Sequence, residues 1–398
     1  MYNKLTILQI TNRIPFPLND GGNMATYNVT KYLNRFGHQV ILASLNTKKH
    51  HQDPAVLSDI AKVYATDIDT SIHLFGLIKG LFGKVPYNVK RFISPEFSAL
   101  LEKIILEQKP DVIHLEGIYL AIYAETIKKI TSAPLLLRSH NIEHEIWERT
   151  AQNERNPIKR SYLKNLSTRI KKFEQEKMHR FNGIMAITDR DAEFYRKNHY
   201  KGKLKTIPAG VDLKLYTSKK TSAEKFSLCF LGSMEWMPNI QGVEWYLEKV
   251  WPSLRKIFPE LTLHIAGKNM PEEMKSRKID GVVFHGMVPD AIAFLNQHTA
   301  MIVPLLSGGG MRLKIIEAMA VGQCIISTKI GAEGIEAKDG TEILIADTPE
   351  DFISKTESLV NGRINRKLIE ENARKLVQEK YSWEKLVREI EKFYFELI

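Results

Sequence analysis

Short apolar runs alternate along almost the whole chain with longer segments in which apolar residues recur every three or four positions. In the first half the runs are Leu5–Ile10, Val40–Leu45, Asp111–Leu115, Leu135–Arg138, Ile184–Ile187 and Leu204–Ile207. In the second half they are Leu228–Leu231, Leu261–Ala266, Val282–His285, Met301–Pro304, Cys324–Ser327 and Ile343–Ile345. A short unbroken apolar run is the mark of a strand buried on both faces, and strand–helix alternation builds βαβ units with parallel sheets. The pattern predicts an α/β chain of two Rossmann-like domains, 1–208 and 209–382, facing across a cleft at the carboxyl ends of their strands. The boundary is expected at Pro208-Ala209-Gly210, ahead of the polar stretch Thr217–Lys225. The closing segment, Trp383–Ile398, reads as an amphipathic helix that packs back on the first domain.

A length of 398 residues suits two such domains, and 43% hydrophobic with 26% charged residues is ordinary for a globular chain. No run approaches the roughly 18 apolar residues of a membrane span. Met1–Lys4 followed by Leu5–Ile10 is too short and too soon polar for a signal peptide. Cys229 and Cys324 each lie inside a strand-like run and are expected to be buried free thiols of a reducing cytoplasm.

The net charge of +11 calls for an anionic partner. No nucleic-acid-binding signature is present, which leaves phosphorylated ligands and an anionic membrane surface. Leu74–Lys84 is apolar, interrupted by Gly76, Gly80 and Gly83, and flanked by Lys79, Lys84, Lys90 and Arg91. Its Phe75, Leu77, Ile78, Leu81 and Phe82 are candidate membrane anchors for a cytoplasmic protein docked at the inner membrane face. The basic helical stretch from Arg149 to Arg180 reads as a solvated face.

Candidate chemistry concentrates between Pro304 and Gly322. The run Met301-Ile302-Val303 ends in Gly308-Gly309-Gly310, and a helical pattern starts near Met311. Glycines let a backbone approach a ligand, and a helix start attracts anions. Arg312 and Lys314 put two cations at the positive end of that helix, which an anion would relieve. Glu317 follows one turn after Lys314. Basic groups for a diphosphate, then a carboxylate for sugar hydroxyls, describe a nucleotide-sugar site. The stretch is not a P-loop, because its glycines are contiguous and Lys314 precedes Ile315. A competing pattern is His140-Asn141-Ile142-Glu143-His144, which fits the His-x-x-Glu-His zinc site of a peptidase, with His140 and His144 as ligands and Glu143 as base.

Several motifs in order resemble the retaining GT-B glycosyltransferases of family four, the bacterial cell-wall and polysaccharide transferases. They are Pro15-Phe16-Pro17 with Gly21-Gly22, Arg138-Ser139-His140-Asn141, Ala186-Ile187-Thr188, Ile207-Pro208-Ala209-Gly210-Val211-Asp212, Phe230-Leu231-Gly232, Ile265-Ala266-Gly267, Phe284-His285-Gly286 and Glu317-Ala318-Met319-Ala320-Val321-Gly322. The resemblance implies transfer of a sugar from a nucleotide-diphosphate sugar, as co-substrate, to a sugar or lipid-linked acceptor. It implies retention of anomeric configuration, no metal and no cofactor.

By the same resemblance His140, Arg312 and Lys314 are the catalytic candidates. Gly21, Gly22, Gly232, Ser233, Met287, Val288, Gly309, Gly310, Met311 and Glu317 would meet the donor, and Glu116 and Asn141 the acceptor. Two positions depart from the family pattern. Gly309 stands where a second glutamate is usual, which opens the alternative of a non-catalytic nucleotide-sugar-binding protein. Ser233 stands at an arginine position, and Arg312 and Lys314 would supply the missing charge.

Overall fold

In the computed structural model, residues 3–18, 20–71, 85–154, 156–216 and 225–398 are described. The chain forms two compact units, Met1–Pro208 with Leu386–Ile398, and Ala209–Lys385. The first unit contains a seven-stranded sheet in the order β3-β2-β1-β4-β5-β6-β7. Its strands are β1 (Thr6–Thr11), β2 (Gln39–Thr47), β3 (Lys62–Ile68), β4 (Val112–Glu116), β5 (Leu135–Ser139), β6 (Gly183–Ala186) and β7 (Lys203–Thr206). The second unit contains a six-stranded sheet in the order β10-β9-β8-β11-β12-β13. Here the strands are β8 (Ser227–Leu231), β9 (Thr262–Ala266), β10 (Val282–Gly286), β11 (Ala300–Val303), β12 (Cys324–Ser327) and β13 (Leu344–Ile345).

Neighbouring strands pair in parallel, for example Ile7 with both Val40 and Val112, and Met301 with both Ile325 and Cys229. Helices cover both sheet faces, so the inner strands are buried throughout, as in β4 and β5, every residue of which is buried. Each unit is therefore a doubly wound Rossmann-like layer structure, as the strand–helix alternation predicted.

Strand β3 escapes the apolar-run rule. It is an edge strand, mostly half-buried, and carries Lys62, Thr66 and Asp67 among its apolar residues. An edge with one solvated side does not need an unbroken apolar run.

The connectivity fixes one special position in each sheet. The chain winds outward from β1 to β3, then returns to place β4 on the other side of β1. In the second unit β8, β9 and β10 wind outward before β11 pairs on the other side of β8. The loops leaving the two strands at such a reversal diverge and open a crevice at their carboxyl ends. Cys229 and Cys324 are buried and belong to no disulfide. The last helix, α6 below (Trp383–Leu397), begins in the second unit and ends in the first. Among the described residues no helix is long and apolar enough to cross a membrane.

The helices that bear on function are α1 (Gly21–Arg35), α2 (Glu143–Asn153), α3 (Pro157–Lys177), α4 (Met237–Lys249), α5 (Leu313–Val321) and α6 (Trp383–Leu397).

Candidate functional site

In the first unit the reversal between β1 and β4 holds a cavity of about 240 Å³, whose lining includes Asn12, Arg13, Gly22, Glu116, His140, Asn141 and Glu143. Glu116 is the last residue of β4, and His140 follows the last residue of β5, so the sheet register brings them together. His140 Nε2 lies 2.6 Å from Glu116 Oε2. The other oxygen, Oε1, accepts from Gln9 Nε2 at 2.7 Å, and Thr30 Oγ1 donates to Gln9 Oε1 at 2.6 Å. Burial disfavours charge on Glu116, but His114, Arg138 and His140 outweigh it and hold the carboxyl well below the usual range. Burial, against the pull of Glu116, brings His114 down to about 4.

Glu116 is therefore an ionised partner of His140, 5% exposed, at the wall of the cavity. Gly21 and Gly22 likewise do not form a free loop; they open α1. Asp20 caps that helix through the Asn23 amide at 3.0 Å and is gripped by Arg13 Nη2 at 2.8 and 3.0 Å.

The zinc pattern dissolves in the same region. His140 lies before α2, so it shares no helical face with His144. His144 Nδ1 is 2.6 Å from Glu174 Oε2, while Glu174 also accepts the Glu143 and His144 amides at 2.8 and 3.2 Å. Glu174, fully buried on α3, thus caps α2 and holds the His144 ring, and the two imidazoles serve two different carboxylates. Glu143 turns to the cavity instead. Burial raises its carboxyl to about 7, against a hydrogen bond from Tyr119. Among the described residues no group of His, Cys, Asp and Glu side chains is arranged to hold a metal ion.

In the second unit the site forms where β8 and β11 diverge. Helix α5 starts at Leu313, two residues later than the sequence pattern implied, with Arg312 as its N-cap. Lys314 Nζ donates to Asn239 Oδ1 at 2.8 Å and lies 4.4 Å from the centroid of Phe230 on β8. Asn239, in the first turn of α4, is fixed in turn by donating to the Ser233 carbonyl at 2.8 Å. Burial, then the neighbouring Arg312 charge, lowers Lys314 to about 7.

Gly232 makes this approach possible. A Cβ there would sit 2.9 Å from Asn239 Nδ2 and 3.0 Å from Lys314 Nζ. Gly267 lies so close that a Cβ would fall 1.8 Å from the Gly232 carbonyl oxygen. Glycine is demanded again at Gly308 and Gly310, with φ of 118° and 78°. Gly309 is not among the residues with positive φ, so the backbone does not forbid the family's glutamate there.

Arg312 differs from the open cation expected. It is 7% exposed, donates to the carbonyls of Gly309 and Gly310, the latter at 2.9 Å, and stacks 4.7 Å from the Trp236 ring centroid. The dipole conflict read from the sequence is relieved by the loop's own carbonyls for Arg312 and eased for Lys314 by its lowered pKa. Glu317 Oε1 accepts from Tyr216 Oη at 2.8 Å, and burial raises its carboxyl. Met311 packs partly buried against the core. Met287 and Val288 follow β10 at the sheet's edge; Met287 is 75% exposed and Val288 packs on the core.

Sequence reading missed Tyr216, Trp236 and Asn239, because each lies far along the chain from the motif it serves, and Arg13, because no pattern marks its pairing with Asp20 seven residues on. Asn239, which no motif singled out, is the residue that holds Lys314. Phe75, Leu77, Ile78, Leu81 and Phe82 lie outside the described residues.

The geometry agrees with the comparisons. Residues 19–215 match the family model described as Glycosyltransferase Family 4, and residues 225–362 match Glycosyl transferases group 1. An uncharacterised 44.6 kDa protein in the cps region of Klebsiella pneumoniae is 24% identical over 96% of this chain and 98% of its own. Sucrose-phosphate synthase from Thermosynechococcus elongatus matches in structure at TM-score 0.69 and 15% identity, covering 99% of both chains. HepE of Anabaena, solved with UDP-glucose, matches at TM-score 0.65 and 12% identity, covering 98% of this chain and 100% of that one. At such identities the structural likeness speaks for the fold.

Proposed function

The chain belongs to the family-four, group 1 glycosyltransferases, and from that premise we propose that it moves a sugar from a nucleoside-diphosphate sugar to an acceptor hydroxyl with retention, in the assembly of a cell-surface polysaccharide or glycolipid. The observation that carries this reading is the placement of Lys314 Nζ beside Gly232 at the β8–β11 reversal. A glycine with no side chain and a desolvated ammonium group at one crevice suit a diphosphate. In the reaction the bond between the anomeric carbon and the diphosphate oxygen breaks, and the acceptor oxygen bonds to the same face of that carbon. The acceptor proton passes to the departing diphosphate. Charge grows on that leaving group, and a pre-placed Lys314 with the amides of the Gly309–Met311 loop would stabilise it without reorganisation.

Arg312 keeps the loop in shape through its bonds to Gly309 and Gly310. Glu317, with Tyr216 on one oxygen, reads ribose hydroxyls with the other. In the first unit His140, held by ionised Glu116, meets the donor sugar, and Asn141 the acceptor. No step needs a metal. The UDP-glucose bound by the Anabaena neighbour supports a nucleotide-sugar donor, and the cps-region relative supports a polysaccharide product.

The test is a thermal-shift panel of UDP-, GDP- and ADP-sugars followed by NMR of the products with EDTA present. A ligand at a hundred times its dissociation constant stabilises by about 2.7 kcal/mol. At least one sugar nucleotide should raise the midpoint and yield the retained anomer. No shift with any donor and no turnover would overturn the reading. Membrane docking through Phe75 and Phe82 is the further part of the proposal, and the net charge of +11 supports it. Binding to anionic vesicles should fall with salt and again on Phe75→Ser with Phe82→Ser; flotation indifferent to both would remove it.

A further inference from the structure

Beside the His140 cavity lies a second and larger one, of about 630 Å³, which no part of the reaction described above uses. It opens where β1, β2 and β3 end, at their carboxyl edge, and shares Asn12 and Arg13 with the first. Its ionisable lining is Arg13, Lys48, Lys49, His50 and Arg91 against the single carboxylate of Asp69.

The local salt bridges do not neutralise it. Asp20 answers Arg13, but Asp69 lies 4.0 Å from Lys48 with both groups at least half exposed. Such a contact is worth little. Among the described residues no carboxylate lies within ion-pair distance of Lys49 or Arg91. Arg91 Nη1 instead donates to the Thr70 carbonyl at 2.6 Å, and its buried Nε has no hydrogen-bond partner. Burial, then the charges of Arg13 and Lys49, lower His50, the response of an imidazole in a positive local field.

A concavity whose charge is mostly of one sign focuses field and collects anions. The geometry points to this cavity as the seat of an acidic group, a phosphate or a carboxylate, on the acceptor whose reacting end enters the His140 cavity; the acceptor role rests on the glycosyl-transfer reading. The class of acceptor is thereby an anionic sugar or a sugar phosphate. Arg13, common to both cavities, stands at the junction.

The experiment titrates inorganic pyrophosphate, glucose 6-phosphate, glucuronate and glucose into the full chain by calorimetry, with and without UDP, and repeats this with Lys48→Glu/Lys49→Glu and with Lys49→Gln. UDP keeps the β8–β11 crevice from taking the anions. With UDP present, at least one anionic probe should bind tenfold or more tightly than glucose. The double charge reversal should cost at least tenfold and Lys49→Gln a smaller part, while UDP affinity stays unchanged. Phosphate probes binding alone assign a phosphorylated acceptor; glucuronate binding as well assigns acidic sugars. Equal binding of all four probes, or affinities within twofold of wild type in both variants, would overturn the inference. If UDP and UDP-glucose themselves fail to bind, it is the glycosyl-transfer reading that falls, and the anion titrations without UDP then decide this site separately.

Discussion

Lys314 makes donor binding a proton-linked event, and the size of the effect follows from the structure. In the ligand-free crevice the lysine sits at about 7, against an ordinary 10.5. A diphosphate laid against the ammonium group favours the charged form and returns the pKa toward its ordinary value. Each step of one in that return is worth about 1.4 kcal/mol. The sign follows from which form binds. Below pH 7 the lysine is already charged and affinity is flat. Above it, binding must first recruit a proton. With full restoration, the dissociation constant of UDP-glucose should rise roughly fivefold from pH 7 to 8 and roughly fiftyfold from pH 7 to 9. Calorimetry in buffers of different ionisation enthalpy should count about half a proton taken up at pH 7 and about nine-tenths at pH 8. Lys314→Arg keeps its charge at every pH and should bind with a flat profile, which also cancels any titration of the base. Wild-type affinity changing less than twofold between pH 7 and 9, with no proton uptake, would refute the argument.

Glu317→Gln removes a charge-assisted contact worth about 1.5–3 kcal/mol, so the donor dissociation constant should rise roughly tenfold or more; unchanged affinity in a folded variant would make Glu317 a partner of Tyr216 alone. Gly242 lies inside α4, where Gly→Ala ordinarily gains up to about 1 kcal/mol. A Cβ there would fall 2.3 Å from the Pro304 carbonyl oxygen, so Gly242→Ala should instead lower the urea midpoint, by the roughly 1–3 kcal/mol of an overpacked site. Burial raises Glu143 from 4.5 to about 7, so the folded state holds its proton more tightly than the unfolded chain. Stability from this group is full below pH 4.5 and is lost as pH rises toward 7. Glu143→Gln should therefore gain on wild type between pH 5 and 8 in urea titrations, and a constant difference would place Glu143 in water.

The sheets were legible because parallel strands buried on both faces leave unbroken apolar runs, as at Leu135–Leu137 and Ile325–Ile326. Strand β3 was not, since its edge position tolerates Lys62 and Asp67. Local motifs likewise gave Lys314 and Glu317 their place on one helix. What they could not give was partnership. The Glu116–His140 pair depends on the register of two strands, and the Lys314–Asn239 bond joins residues 75 positions apart. Charge counting suggested a ligand for Arg312, whereas a flexible guanidinium found carbonyls three residues away. The five-residue zinc pattern failed for a related reason: spacing says which residues are near in sequence, and the end of β5 decided which of them belong to a helix.

The return of α6 to the first unit bears on how the protein is made. His114 Nδ1 meets Tyr394 Oη at 2.6 Å, and His114 Nε2 lies 3.4 Å from Glu116, the residue that holds His140. His38 leans on Glu391 at 3.0 Å, and Leu397 packs so closely on β6 that Gly183 has no room for a side chain. During synthesis the first 208 residues leave the ribosome early, but these buried histidines wait for partners that are translated after the whole of the second unit. The domain begun first is finished last, and a nascent chain arrested anywhere before Leu386 carries an open seam along its sheet, with His38 and His114 still without Glu391 and Tyr394.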